Sequence, residues 1–148
     1  MPGGDPYHSR KVDFMISHHI AMVYAMVVGA AADGSLAERE LETIRGIVEG
    51  LPIFDEFEKG NLAQIAAAAT ELLTEEDGID TAIDQIKSNL TPRLCATAYA
   101  LACDVVAADG EATQEELRYL EILRHELEVD RLTAAAIERG AAARYARA

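Results

Sequence analysis

The sequence predicts an all-α fold, a compact bundle of about seven helices. Three observations carry this. Alanine and leucine-type residues dominate a chain that is 50% hydrophobic, only 5% aromatic and without Trp, a composition that favours helices over a sandwich or barrel. Apolar residues recur at the helical period in segment after segment, and no stretch alternates with period two. Asp-Gly and Pro signals divide these segments at helix-length intervals. The 148 residues suit one domain, with a core over about 14–130 and a C-terminal helix over 130–146.

The elements follow in order. Residues 1–6 are Gly/Pro-rich and read as a frayed end. The first helix runs from Tyr7 to Ala32, where Asp33-Gly34 breaks it, since Gly suits the left-handed residue that closes many helices. The second covers Ala37 to Glu49, with Leu41, Ile44, Val48 and Leu51 on one stripe. Gly50 and Pro52 end it. Ile53, Phe54 and Phe57 are expected to pin an acidic connection to the core. The third helix covers Asn61 to Leu73, with Leu62, Ile65, Ala66, Ala69, Leu72 and Leu73 at the helical period. The fourth covers Glu75 to Asn89, with Ile79, Ile83, Ile86 and Leu90 inward. Thr91-Pro92 restarts the chain, because Pro is favoured in a first turn. The fifth helix spans Pro92 to Ala108 and ends at Asp109-Gly110. The sixth spans Gln114 to Leu127, with Leu117, Leu120, Leu123 and Leu127 inward. The seventh runs from Asp130 to Ala146.

Phe14 to Ala32 carries no formal charge and follows Arg10 and Lys11, which imitates a signal peptide or a weak membrane span. Ser17, His18 and His19 lie inside it, and its last third is mostly Ala and Gly. A similar stretch, Leu94 to Ala108, recurs with Asp104 inside it. Both read as buried central helices, and no transmembrane segment is expected.

The charge is strongly acidic, 26 Asp and Glu against 13 Lys and Arg, net −13. Phosphate binding needs a basic surface, so nucleic acid is excluded as a direct partner. Metal cations and basic partners suit it better. Residues 33–90 hold 14 acidic and 4 basic side chains, whereas 131–148 hold one Glu against Arg131, Arg139, Arg144 and Arg147. That basic end complements the dipole of a C-terminal helix. It reads as a solvated face, with docking on the acidic body as the alternative. Cys95 and Cys103 are eight residues apart on one helix, about 12 Å at ~1.5 Å per residue, too far for a disulfide. Both read as reduced core residues of a reducing, cytoplasmic compartment.

An internal repeat is the most informative feature. Ala31-Ala32-Asp33-Gly34, five residues and Glu40-Leu41 align with Ala107-Ala108-Asp109-Gly110, five residues and Glu116-Leu117, at an offset of 76 residues. Each copy closes an apolar helix and opens an amphipathic one. The simplest architecture is two helical hairpins related by an approximate two-fold. The spacing matches the latter half of an EF-hand loop, with Asp, Gly and Glu at positions five, six and twelve. Gly29 and Ala31, or Val105 and Ala107, stand where the first acidic ligands belong, so neither copy is a complete loop. Brought together, Asp33, Glu40, Asp109 and Glu116, with Glu111 nearby, would offer a hard divalent cation four carboxylates, Ca²⁺ or Mg²⁺ rather than Zn²⁺. The competing reading is helix punctuation. Asp-Gly is a common turn, and Thr113 with Glu116 forms a capping box. In the first copy Ala37 has no capping oxygen. Ser35 with Glu38 offers a shifted box there, yet Glu40 is retained, which favours a role for it beyond capping.

These two copies, Ala31-Ala32-Asp33-Gly34 with Glu40-Leu41 and Val106-Ala107-Ala108-Asp109-Gly110-Glu111 with Glu116-Leu117, resemble the TerB family. That is the tellurite-resistance B domain and its relatives, including the N-terminal domain of a membrane-anchored DnaJ-type co-chaperone. The resemblance spans about Phe14 to Asp130. It implies a compact α-bundle without known catalysis, paired acidic residues that hold metal, and a place in stress systems facing tellurite and other toxic agents, often near the membrane. It nominates Asp33, Glu40, Asp109 and Glu116 as metal ligands, a basic or membrane-associated protein partner, and a cytoplasmic location that includes the membrane periphery. The sequence departs from the family at Ala37, where a small hydroxyl residue is usual, and at Ala112, where a larger aliphatic is usual. The second departure implies looser packing there.

No other chemistry is expected. His18 and His19 are about 100° apart on a helix, one reading as a hydrogen-bonded core residue and the other as partly exposed. His125 reads as solvated, and Val129 rules out a His-Glu-x-x-His zinc motif. Bundle di-iron sites need two Glu-x-x-His pairs, and only His8 after Asp5 approaches that spacing. No nucleophile signature or phosphate loop is present, and Met15, Met22 and Met26 fit core spacing. The chain is read as non-catalytic.

Overall fold

A computed structural model describes the backbone of residues 6–148 and the side chains of residues 18–148. It is helical throughout: α1 (Pro6–Ala30), α2 (Glu38–Gly50), α3 (Leu62–Leu72), α4 (Gly78–Ser88), α5 (Pro92–Ala108), α6 (Gln114–Glu126) and α7 (Arg131–Arg144). Short 3₁₀ turns at Pro52–Phe54 and Lys59–Asn61 fill the α2–α3 connection.

The two charge-poor stretches form the centre. α1 packs most extensively on α5, and also on α3 and α4, while α5 takes α7 on its other side. Met22, Val23, Met26, Val27 and Val28 are fully buried, as are Ala98 and Ala102 of α5. Small side chains here let two helices approach closely, and burial on all sides explains why their sequences lack a polar face. No helix among the described residues is long and apolar enough to cross a membrane. The hairpins α1–α2 and α5–α6 pack reciprocally: α2 also touches α5, and α6 also touches α1. This is the pattern an approximate two-fold produces. One buried hydrogen bond joins the hairpins, Tyr119 Oη donating to the Ala25 carbonyl at 2.8 Å.

Both Asp-Gly turns use glycine as the sequence requires, with Gly34 at φ +113° and Gly110 at φ +91°. The α3–α4 connection differs from expectation. Helix α4 begins at Gly78, not Glu75, because Asp77 takes a left-handed conformation at φ 61°. Gly78 then lies so close to α3 that a Cβ would stand 2.2 Å from the Leu72 carbonyl oxygen.

Phe54 and Phe57 are buried, as expected of pins. They pack around His19, whose Nε2–H donates to the Ile53 carbonyl at 2.8 Å. His19 is therefore the bonded core histidine, and His18 is half-buried. Met22 and Met26 lie in the core, whereas the side chains of Met15, His8 and Asp5 fall outside the described residues. Cys103 is buried, but Cys95 is only half-buried at the core's edge. Two stripe positions are corrected. Leu117 is 54% exposed and Leu51 is 38% exposed. In α6 the buried line runs through Glu116, Tyr119 and Leu123, which turns the neighbouring Leu117 toward solvent. Leu51 lies beyond the end of α2, in extended backbone that no longer follows the helical stripe.

Two of the four C-terminal arginines dock on the body, whereas Arg131 and Arg139 are exposed, as a solvated face would be. Arg144 Nη2 pairs with Asp104, and Arg147 Nη2 donates to the Ala108 carbonyl at 3.2 Å, beside Gly110.

Candidate metal centre

The two turns meet. Packing α1 against α5 brings both helix C-termini together, and α2 and α6 start from the same place. Carboxylate oxygens of Glu40, Asp109 and Glu116 all lie within 4.8 Å of one another. Asp33, exposed in the first turn, stands outside that triad but close enough to act electrostatically on Glu40 and Glu116. Glu111 is exposed and is not part of the triad.

Each glutamate also holds a helix start. In the second copy the capping box is complete: the Thr113 N–H donates to Glu116 Oε1 at 2.7 Å, and the Glu116 N–H donates to Thr113 Oγ1 at 3.1 Å. In the first copy only the return half forms, the Ala37 N–H donating to Glu40 Oε1 at 2.8 Å. Capping therefore occupies one oxygen of each carboxylate.

The electrostatics are those of crowded acids. Glu116 is 2% exposed, and burial pushes its carboxyl above the usual range, against the cap bonds that lower it. Asp109 and Asp33 repel it further. Burial also raises Glu40, with added repulsion from Asp109, Asp33 and Glu116. Burial and crowding of this kind penalise the charged form, and a cation facing the carboxylates would offset that penalty.

One participant escaped sequence reasoning. Arg39 Nη2 reaches from the first repeat to Asp109 Oδ1 of the second at 3.0 Å. Its side chain is 81% exposed, so the pair contributes little to stability. The available signal was a break in the repeat: Arg39 aligns with Glu115, a charge reversal beside the common Glu.

The set is all oxygen, from three carboxylates on two hairpins. Two oxygens 2.4 Å from one ion are at most about 4.8 Å apart, so three oxygens within that limit are close enough to face one hard divalent cation with ligands at about 2.3–2.6 Å. Among the described residues neither His nor Cys, the usual ligands of a structural zinc, joins it.

A family model described as "Tellurite resistance protein TerB" matches residues 19–139. No curated protein and no solved structure matches the chain.

Proposed function

The chain belongs to the TerB family, and from that membership we propose a non-catalytic stress-response protein whose two hairpins are clamped by a divalent cation. The observation that carries this is the convergence of Glu40, Asp109 and Glu116 from both repeats within 4.8 Å. Asp33 completes the ligand set, directly or through water. Ca²⁺ and Mg²⁺ are the preferred ions, because every donor is oxygen. Clamping fixes α2 against α6, and a partner surface at that end would exist in full only when the cation is bound. Resistance to tellurite or a related toxic agent, a cytoplasmic location reaching the membrane periphery, and a basic or membrane-associated protein partner complete the proposal.

The test is calorimetric titration of metal-free protein with Ca²⁺, Mg²⁺, Mn²⁺ and Zn²⁺, beside an Asp33→Asn/Asp109→Asn variant. Saturable binding that the folded variant loses supports one shared site. Heats no larger than those of a generic acidic surface refute it.

A second reading has its own support. The cap bonds of Glu40 and Glu116 already account for their positions locally, and Arg39 already pairs with Asp109. On that reading the turns are helix punctuation, and the acidic surface is an interaction module for a basic partner. Salt-sensitive partner binding that persists in chelator would favour it.

A further inference from the structure

Away from the carboxylates, α6 and α7 both lie on α5 but scarcely touch each other. Between them runs a groove of about 630 Å³, within the usual size range for small-molecule sites. Its existence traces to small residues. Ala141 and Ala142 form the α7 wall, and Ala112 stands at the mouth. The equivalent of Ala112 in the first repeat is Leu36, which packs against the core. Leu117, turned outward on α6, lines the groove and is exposed there.

The groove is unequal along its length. Toward the second Asp-Gly turn its lining is apolar, with Val106, Ala107 and Leu117. Near Tyr99 it is polar. There Glu121 on α6 and Glu138 on α7 line opposite walls. Tyr99 Oη donates to Glu138 Oε2 at 2.6 Å, which anchors that carboxylate beside the apolar floor. Among the described residues, no cationic side chain forms an ion pair with Glu121 or Glu138. Arg124 lines the same end, but its Nη2 lies 2.9 Å from His125 Nε2. A guanidinium can only donate, so one of its five N–H groups points at that ring nitrogen while its positive charge remains at this end. Two carboxylates against one guanidinium leave this end net negative, in a chain of net charge −13. From Tyr99 to Ala107 the floor measures about 12 Å at ~1.5 Å per residue, the length of an alkyl chain of roughly ten carbons.

We propose that the α6–α7 groove binds an amphiphilic organic cation, its ammonium head between Glu121 and Glu138 and its alkyl chain along α5 toward Leu117. Charge complementarity selects the head, and the depth left by Ala112 admits the tail. The site is separate from the carboxylate cluster and does not depend on it.

The probe is decyltrimethylammonium below its micellar concentration, followed by calorimetry and by amide chemical shifts of the full chain, with decanoate as the anionic counterpart. One saturable site is expected, with shifts concentrated at Ala107, Ala112, Leu117 and Ala142. Ala112→Leu, which restores the leucine of the first repeat and leaves the charge unchanged, should weaken binding at least tenfold. Glu121→Gln/Glu138→Gln, at two exposed positions, should weaken it at least fivefold and keeps the test decisive if Ala112→Leu fails to fold. Equal binding by folded Ala112→Leu would mean adsorption to the acidic surface and would overturn the proposal. Equal binding of decanoate, or shifts scattered over the molecule, would do the same. So would failure of the alkylammonium beside saturable docking of a Lys/Leu amphipathic peptide.

Discussion

Replacing Glu40 and Glu116 by Gln separates capping from cation binding. Glutamine keeps an oxygen that can accept from the Ala37 and Thr113 N–H groups, so the helix starts survive while two negative charges leave the cluster. The carboxylate oxygens lie within 4.8 Å of one another, and at that outer limit one pair of unit charges repels by about 0.9 kcal/mol at the dielectric of water and about 3.5 kcal/mol at an effective dielectric of 20. Partial exposure of Glu40 favours the lower figure, so about 1–2 kcal/mol of repulsion should be relieved. The sign of the pH dependence follows. Both carboxyls titrate above their usual range in the folded state, so between their unfolded and folded pKa values the native protein holds more protons. Without metal, the parent is therefore predicted to lose stability as pH rises from about 4.5 through the folded values toward 7, on top of contributions from its other acids. The double variant should lose less over that window. A cation at one hundred times its Kd should restore about 2.7 kcal/mol to the parent at pH 7, roughly 5–10 °C in Tm for a chain of this size. At pH 4.5 the gain should shrink, and in the variant it should vanish. The assay is thermal denaturation followed by circular dichroism, in chelator and in Ca²⁺, at both pH values. A parent whose Tm ignores the cation, or a variant that gains as much as the parent, would refute the clamp.

Two further predictions follow from the repeat and from the close α3–α4 approach. Ala37 and Thr113 share one backbone conformation, φ −75° and ψ 153° against φ −77° and ψ 166°, so Ala37→Thr should complete the first capping box and stabilise by about 1 kcal/mol; a melt showing no gain would mean that the two turns are not equivalent. Gly78→Ala would place its Cβ 2.2 Å from the Leu72 carbonyl, and should cost about 3 kcal/mol or more as the α3–α4 connection shifts, read as the midpoint of urea unfolding; a loss under about 1 kcal/mol would show that this contact relaxes freely.

The fold was legible in the sequence because its signals are local. Helical periodicity, Asp-Gly turns and Thr91-Pro92 mark elements through backbone preferences that need no neighbours. The central pair α1 and α5 showed itself for a related reason, since helices buried on every side carry no polar face. Where local rules met tertiary contacts they slipped. Leu117 fits the apolar stripe of α6, yet the helix is rotated so that Tyr119 reaches the Ala25 carbonyl and Glu116 is buried beneath the turns.

The candidate site divides the same way. The repeat nominated Asp33, Glu40, Asp109 and Glu116, and spacing made Glu116 a cap, while the structure shows that Glu40 also accepts from a helix-start N–H. Only the packing of α1 on α5 decided that Glu40, Asp109 and Glu116 share one cluster, because side chains 76 residues apart meet through the burial of other residues altogether. The Arg39–Asp109 pair and the groove opened at Ala112 have the same origin. Each depends on how far apart two helices sit, a distance set by the side chains between them.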